Sequence, residues 1–254
     1  MPTTETLLLL AVIGLCSGVV GGIGGPGGIP VIVSLNLLLV LSSPVVAATT
    51  SSIFVVATVT ATALYRYSDG IEWALAATVG LPALLGTQIG TRTAAGLSIA
   101  RFEQVLAGTL LLAVAGIVYR QRRRGTDRGD SPAGWRRWSV ALPIAVGSLL
   151  IGVVAGITGI GGPALTVPLL LVVGIAPITA IGAGLASGVL ITVAATVGHG
   201  LQGNPPALVP ALVIGIPYVC AQVLGWKYVH AVSDRTVAYS IAGVALLGVV
   251  GILL

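Results

Sequence analysis

The sequence predicts an all-α, polytopic integral membrane protein, with eight to ten transmembrane or half helices in two inverted repeats that contain broken helices. Three observations carry this. Hydrophobic residues make up 56% of the 254 and charged residues 7%, with a mean hydropathy of +1.08, whereas about a quarter of an ordinary soluble domain is charged. Apolar runs long enough to cross a bilayer recur, and they are continuous rather than alternating, so they span as helices and not as barrel strands. A glycine and proline motif occurs twice, as Gly22-Ile23-Gly24-Gly25-Pro26 and Gly159-Ile160-Gly161-Gly162-Pro163, which marks an internal duplication.

In chain order, the first repeat (residues 1–119) holds apolar segments at about Thr6 to Gly22, Ile29 to Leu41, Val45 to Leu64, Trp73 to Gly90 and Phe102 to Tyr119. The first of these follows an acidic Glu5 and has no small-residue cleavage site after it, so it reads as a retained span. An Arg-rich linker occupies residues 120–139. The second repeat (residues 140–254) holds segments at about Val140 to Ile157, Ala164 to Val173, Ile178 to Val197, Ala207 to Trp226 and Thr236 to Leu254. The order of features is the same in both halves. Gly80-Leu81-Pro82 parallels Gly215-Ile216-Pro217, Gly90-Thr91-Arg92 parallels Gly225-Trp226-Lys227, and Leu97-Ser98 parallels Val232-Ser233.

The first two segments of each half are short, and are either two thin crossings or a re-entrant pair; both alternatives give an odd number of crossings per half and therefore inverted halves. Seven of the 12 basic residues (Arg120, Arg122, Arg123, Arg124, Arg128, Arg136 and Arg137) lie in the linker. On this reading they share one side with Arg66, Lys227 and Arg235, leaving Arg92 and Arg101 opposite, so the positive-inside rule makes the linker cytoplasmic and puts both termini outside. A single long broken crossing at the start of each half would instead place both termini inside. The net charge of +5 is a topology signal and a contact for anionic lipid, not a nucleic-acid surface, because no stacking platform or binding motif accompanies it. Cys16 and Cys220 have no metal-ligand spacing, and the chain calls for no metal or cofactor.

The chemistry points to the duplicated motif. Glycine costs a helix about 1 kcal/mol and proline about 3, so helices should break in the cluster from Gly21 to Pro30 and in its partner, Gly159, Gly161, Gly162, Pro163 and Pro168. Broken helices at matching places in two halves are the best sequence pointer to a transport site. Pro26 and Pro163 suit the first turn of the helix that follows, whose free amides and positive dipole end attract an anion without a charged side chain. The alternative reading is close helix packing by small residues. All seven acids (Glu5, Asp69, Glu72, Glu103, Asp127, Asp130 and Asp234) fall at predicted helix ends or in loops; a cation or proton pathway built on buried carboxylates is therefore disfavoured.

The candidate substrate-binding set is Gly22, Gly24, Gly25, Pro26, Thr50, Ser51, Ser52, Gln88, Gly159, Gly161, Gly162, Pro163 and Gln222. For each hydroxyl or amide the competing reading is a bond to a helix carbonyl or between helices. His199, matched by Tyr65 in the first half, is a candidate proton-coupling group, with a satisfied core or interfacial histidine as the alternative.

The duplicated Gly-Gly-Pro motifs, Ala47-Ala48-Thr49-Thr50-Ser51-Ser52 after Pro44, and Asp69-Gly70-Ile71-Glu72-Trp73 followed by Gly86, Gly90 and Arg92 resemble the TauE/SafE sulfite-exporter family over nearly the whole chain. The resemblance implies a multi-pass permease of a prokaryotic plasma (inner) membrane that moves sulfite or a related sulfur oxyanion or organosulfonate. The second half departs from the family pattern, with Gly182-Ala183-Gly184-Leu185 in place of the hydroxyl-rich stretch and Asn204-Pro205-Pro206 in place of the acidic turn. The leading expectation is a secondary transporter of a small anion that works by alternating access. The competing one is a non-transporting membrane partner that docks through the linker. An enzyme is disfavoured, since no paired intramembrane carboxylates, metal-ligand cluster or activated nucleophile is present. The sequence specifies no oligomeric state.

Overall fold

The computed structural model describes residues 3–23, 27–68, 70–94, 96–98, 100–102 and 138–228, together with isolated positions between 104 and 115. Eight helices are described in full: α1 (Thr4–Gly22), α2 (Gly28–Leu38), α3 (Ser43–Ser68), α4 (Trp73–Ala94), α5 (Trp138–Thr158), α6 (Pro163–Val173), α7 (Pro177–Leu201) and α8 (Leu208–Tyr228). The Arg-rich stretch 120–137 and the apolar segment from Thr236 to Leu254 lie outside the described residues.

Six of these helices are long and apolar enough to cross a membrane, and the chain is a multi-pass membrane protein. The two others, α2 and α6, have 11 residues each. At about 1.5 Å per residue each reaches roughly 16 Å, half of a hydrocarbon core of about 30 Å. Both half-helices begin just after a glycine and proline motif. In the second half, α5 ends at Thr158 and Gly159 follows with φ +70, a left-handed turn that a side chain would strain. Helix α6 then starts with Pro163 in its first turn, where a missing N–H costs nothing. It stops at Gly174, φ +104, whose amide returns to Leu171, while Ile175 bonds the Leu170 carbonyl.

The helices turn apolar side chains outward and small or polar ones inward, as lipid requires. Leu8, Val12, Leu15 and Val19 of α1 are exposed, whereas Gly14, Ser17 and Gly18 are buried. Leu142, Val146 and Leu150 of α5 are exposed, whereas Ser148 and Gly152 are buried. Helices α3 and α7 form the centre: 61% and 67% of their spanning windows are buried, against 33% for α1, α5 and α8.

The contacts exchange between the halves. Helix α1 packs on α8 as α5 packs on α4; α3 packs on α8 as α7 packs on α4; α2 touches α1 and α3 as α6 touches α5 and α7; and α3 and α7 pack on each other. Thr58 and Thr192 mark this central crossing, their hydroxyl oxygens 3.3 Å apart and 134 residues apart in the chain. The same separation relates Phe54 to Gly188, Tyr65 to His199 and Gln88 to Gln222.

Candidate functional site

A small cavity of about 20 Å³ lies where the two helix breaks meet. Gly21, Gly27 and Gly28 come from the first break, and Gly161, Pro163 and Ala164 from the second. Phe54, Ala57 and Thr58 of α3, Leu185 of α7, and Tyr218 and Gln222 of α8 close it. The breaks touch: a Cβ built on Gly28 would stand 3.6 Å from the Gly161 amide nitrogen.

Both half-helices present their N-terminal ends here. In α6 the first intrahelical donor is Ala164, whose amide bonds the Gly161 carbonyl at 3.0 Å. The Gly161 and Gly162 amides precede it and have no intrahelical partner. Helix α2 begins in the same manner at Gly28, with Gly27 as its N-cap and no side chain capping it. Two positive dipole ends therefore converge on one small space. Among the described residues no charged one lines it, and the polar side chains are Thr58, Tyr218 and Gln222.

Two of these side chains, Gln222 and Tyr218, set the polar character of the cavity. Gln222 is buried, and its Oε1 has no hydrogen-bond partner. Turned by half a rotation, the amide offers N–H donors at the same place. The Tyr218 hydroxyl sits against the first break, 2.6 Å from where a Gly27 Cβ would stand, while its ring meets Phe54 edge to face at a centroid distance of 5.4 Å. Thr58 donates to the Phe54 carbonyl at 2.6 Å.

Of the residues selected from the sequence, Gly161, Pro163 and Gln222 line this cavity. Gly24, Gly25 and Pro26 lie outside the described residues. Gly22 packs against the Trp226 amide and Gly225 of α8, and its carbonyl accepts from the Tyr65 hydroxyl at 3.3 Å. Gly159 abuts the Ala47 backbone, and Gly162 abuts Gly188 and Ile191. The hydroxyl run is turned onto its own helix: Thr50 donates to the Val46 carbonyl at 2.8 Å and Ser52 to the Thr49 carbonyl at 2.7 Å, and Ser51 is buried. Thr49 donates to Val45 and accepts from the Ala207 amide at 2.9 Å, which fastens α3 to the start of α8. Gln88 donates to the Ala194 carbonyl at 3.0 Å, linking α4 to α7. His199 is fully buried near the Gly156 backbone and does not line the cavity.

Phe54 and Tyr218 were not selected from the sequence. For Tyr218 the available signal is its depth: it lies mid-span, whereas Tyr and Trp of membrane helices concentrate at the interfaces; Phe54 carries no such signal, because phenylalanine is at home in the apolar core. A second, larger cavity of about 750 Å³ lies between α3, α4 and α7. Its lining is mostly Ala, Val and Leu, with Thr62 inside and Arg66, Tyr67 and Trp73 also contributing. It lacks the paired helix ends that give the smaller cavity its electrostatic sign.

Paired half-helices at one internal cavity, within a bundle of spanning helices whose contacts exchange between halves, define the class of polytopic membrane transporters built from broken helices. The sequence matches the family described as Sulfite exporter TauE/SafE across residues 3–254, and the chain belongs to that family. No curated protein and no solved structure matches it.

Proposed function

We propose that this protein is a secondary transporter of a small sulfur oxyanion or organosulfonate, which it holds between the two helix breaks and releases by rocking of one half against the other. The observation that carries this reading is the meeting of two half-helix N-termini in an internal cavity without a carboxylate. Amide donors and dipoles there offset the negative charge of a guest, and Tyr218 and Gln222 add donors. Among the described residues no cationic side chain lines it.

Alternating access is supported by the exchange of contacts taken with inversion of the halves: with inverted halves, exchanging the roles of the α1·α8 and α4·α5 pairs gives a second arrangement open to the opposite side. Inverted halves, a cytoplasmic linker and a prokaryotic plasma membrane complete the proposal, and rest on the distribution of arginines and on the family.

Purified protein in liposomes tests it. Sulfite, thiosulfate and sulfoacetate are loaded separately, and efflux is followed against empty vesicles. Faster efflux of at least one anion is the expected result; rates equal to those of empty vesicles for all of them would overturn the proposal.

A further inference from the structure

We propose that Phe54 is the gate and size filter of the anion site, its ring standing in the space the substrate must occupy; this rests on the transport reading above. The ring is held between the two breaks. A Cβ built on Gly28 would lie 3.0 Å from Phe54 Cζ, and one built on Gly161 would lie 3.0 Å from Phe54 Cγ. Tyr218 closes a third side, edge-on at 5.4 Å between centroids. About 20 Å³ is left around the ring, room for a single water molecule. A sulfur oxyanion is several times larger, so the site as it stands is closed and something must move for a guest to enter.

Phe54 is the group built to move. Much of the rest of the wall is glycine, alanine and proline, whose atoms belong to or lie beside the backbone. The absence of a Cβ at Gly28 and Gly161 leaves the ring flanked by backbone at both breaks. The pseudo-equivalent position in α7 is Gly188, which carries no ring; the second break packs directly on it, with Gly188 Cα 2.8 Å from where a Gly162 Cβ would stand. The two halves thus contribute unequally, and a single ring from α3 occupies the shared space. A swing about its first side-chain torsion exposes the α2 and α6 N-termini to the same guest, and the room gained sets the largest substituent an anion can carry.

Flux through liposomes is measured for two sulfonates of different bulk, methanesulfonate and benzenesulfonate, alongside sulfite. Phe54→Ala should raise the benzenesulfonate-to-sulfite rate ratio about tenfold or more, Phe54→Leu should raise it less, and Phe54→Trp should slow all three. A ratio that stays within about twofold of the unmodified protein in a Phe54→Ala variant that remains monodisperse in detergent overturns the gate while leaving transport intact. Wild-type vesicles that pass no anion refute the transport reading and the gate with it. A second measurement reports on the position directly. In a Cys16→Ser, Cys220→Ser background, which removes the two free exposed thiols, Phe54→Cys is treated with an anionic methanethiosulfonate. Saturating methanesulfonate, which does not react with the thiosulfonate, should slow labelling about fivefold or more by occupying the site; unchanged labelling in a variant that still transports methanesulfonate overturns the proposal.

Discussion

Glycines at the flanking helix pairs and two glycines at the breaks, Gly28 and Gly161, face different neighbours, and the difference separates what holds the bundle together from what lets it work. In the α4·α5 pair, Gly86 and Gly90 meet the backbone of Leu149 and Val153, and Gly152 and Gly156 meet that of Ala83 and Thr87. In the α1·α8 pair, Gly14, Gly18 and Gly22 meet the backbone at Ile214, Tyr218 and Gln222. These are small-residue seams in which two backbones approach too closely for any Cβ. At the breaks, Gly28 and Gly161 face the ring of Phe54, a side chain that can turn. Backbone cannot yield and a ring can, so an added side chain is tolerated less at the seams than at the centre.

The largest effect should therefore come from a seam. In Gly152→Leu the added Cβ would lie 2.7 Å from the Ala83 carbonyl carbon and 2.8 Å from its Cα. Overpacking of this kind costs about 3 kcal/mol or more where nothing can relax. The variant should fail to yield monodisperse protein on size-exclusion chromatography, and recovery at wild-type levels would show that the seam is looser than drawn. Next comes Gly161→Leu at the break. Its Cβ would lie 3.0 Å from Phe54 Cγ and 3.1 Å from Cδ2, so the ring shifts, the protein folds, and the leucine fills the anion space. Flux should fall by about a hundredfold with the chromatographic profile retained. A folded variant with normal flux would move the site away from the breaks.

Much of this division was legible in the sequence and part was not. The breaks were, because glycine and proline repeated at matching places oppose a continuous helix whatever surrounds them; α1 ends at Gly22 and α6 begins at Pro163 as the composition demands. The polar lining was harder to read. Thr50 and Ser52 look like substrate donors in the sequence, yet their hydroxyls bond carbonyls of their own helix, an outcome decided by rotamer and not by residue type. Gln88 and Gln222 are equivalent in the sequence, but one links α4 to α7 while the other keeps a free oxygen in the cavity. That asymmetry follows from which neighbour each amide reaches across the bundle, a long-range fact that no local pattern encodes. Phe54 reads as one more apolar residue until the fold places it between two glycines.

A smaller effect is expected from the other aromatic. Tyr218→Phe keeps the edge-to-face contact with Phe54 and removes only the hydroxyl seated at the first break. If that hydroxyl donates to the anion, the loss of one hydrogen bond to a charged guest lowers apparent affinity about tenfold. Initial rates over a range of sulfite concentrations check this; an unchanged concentration dependence would assign the hydroxyl to packing against Gly27 and leave Gln222 as the principal side-chain donor.

The smallest effect tests how the centre is held. Thr58 and Thr192 form a side-chain link across the α3·α7 crossing, yet each hydroxyl also bonds its own helix, Thr58 to the Phe54 carbonyl at 2.6 Å and Thr192 to the Gly188 carbonyl at 2.9 Å. The hydroxyls are satisfied without each other, so a Thr58→Val, Thr192→Val double-mutant cycle should give a coupling of about 0.6 kcal/mol or less, the average found for hydrogen bonds between membrane helices. Reversible unfolding in mixed micelles measures it. A coupling several times larger would mean that the crossing is pinned by the pair and not free to rock, and the motion would then have to be carried by α2 and α6 swinging against a fixed α3·α7 core.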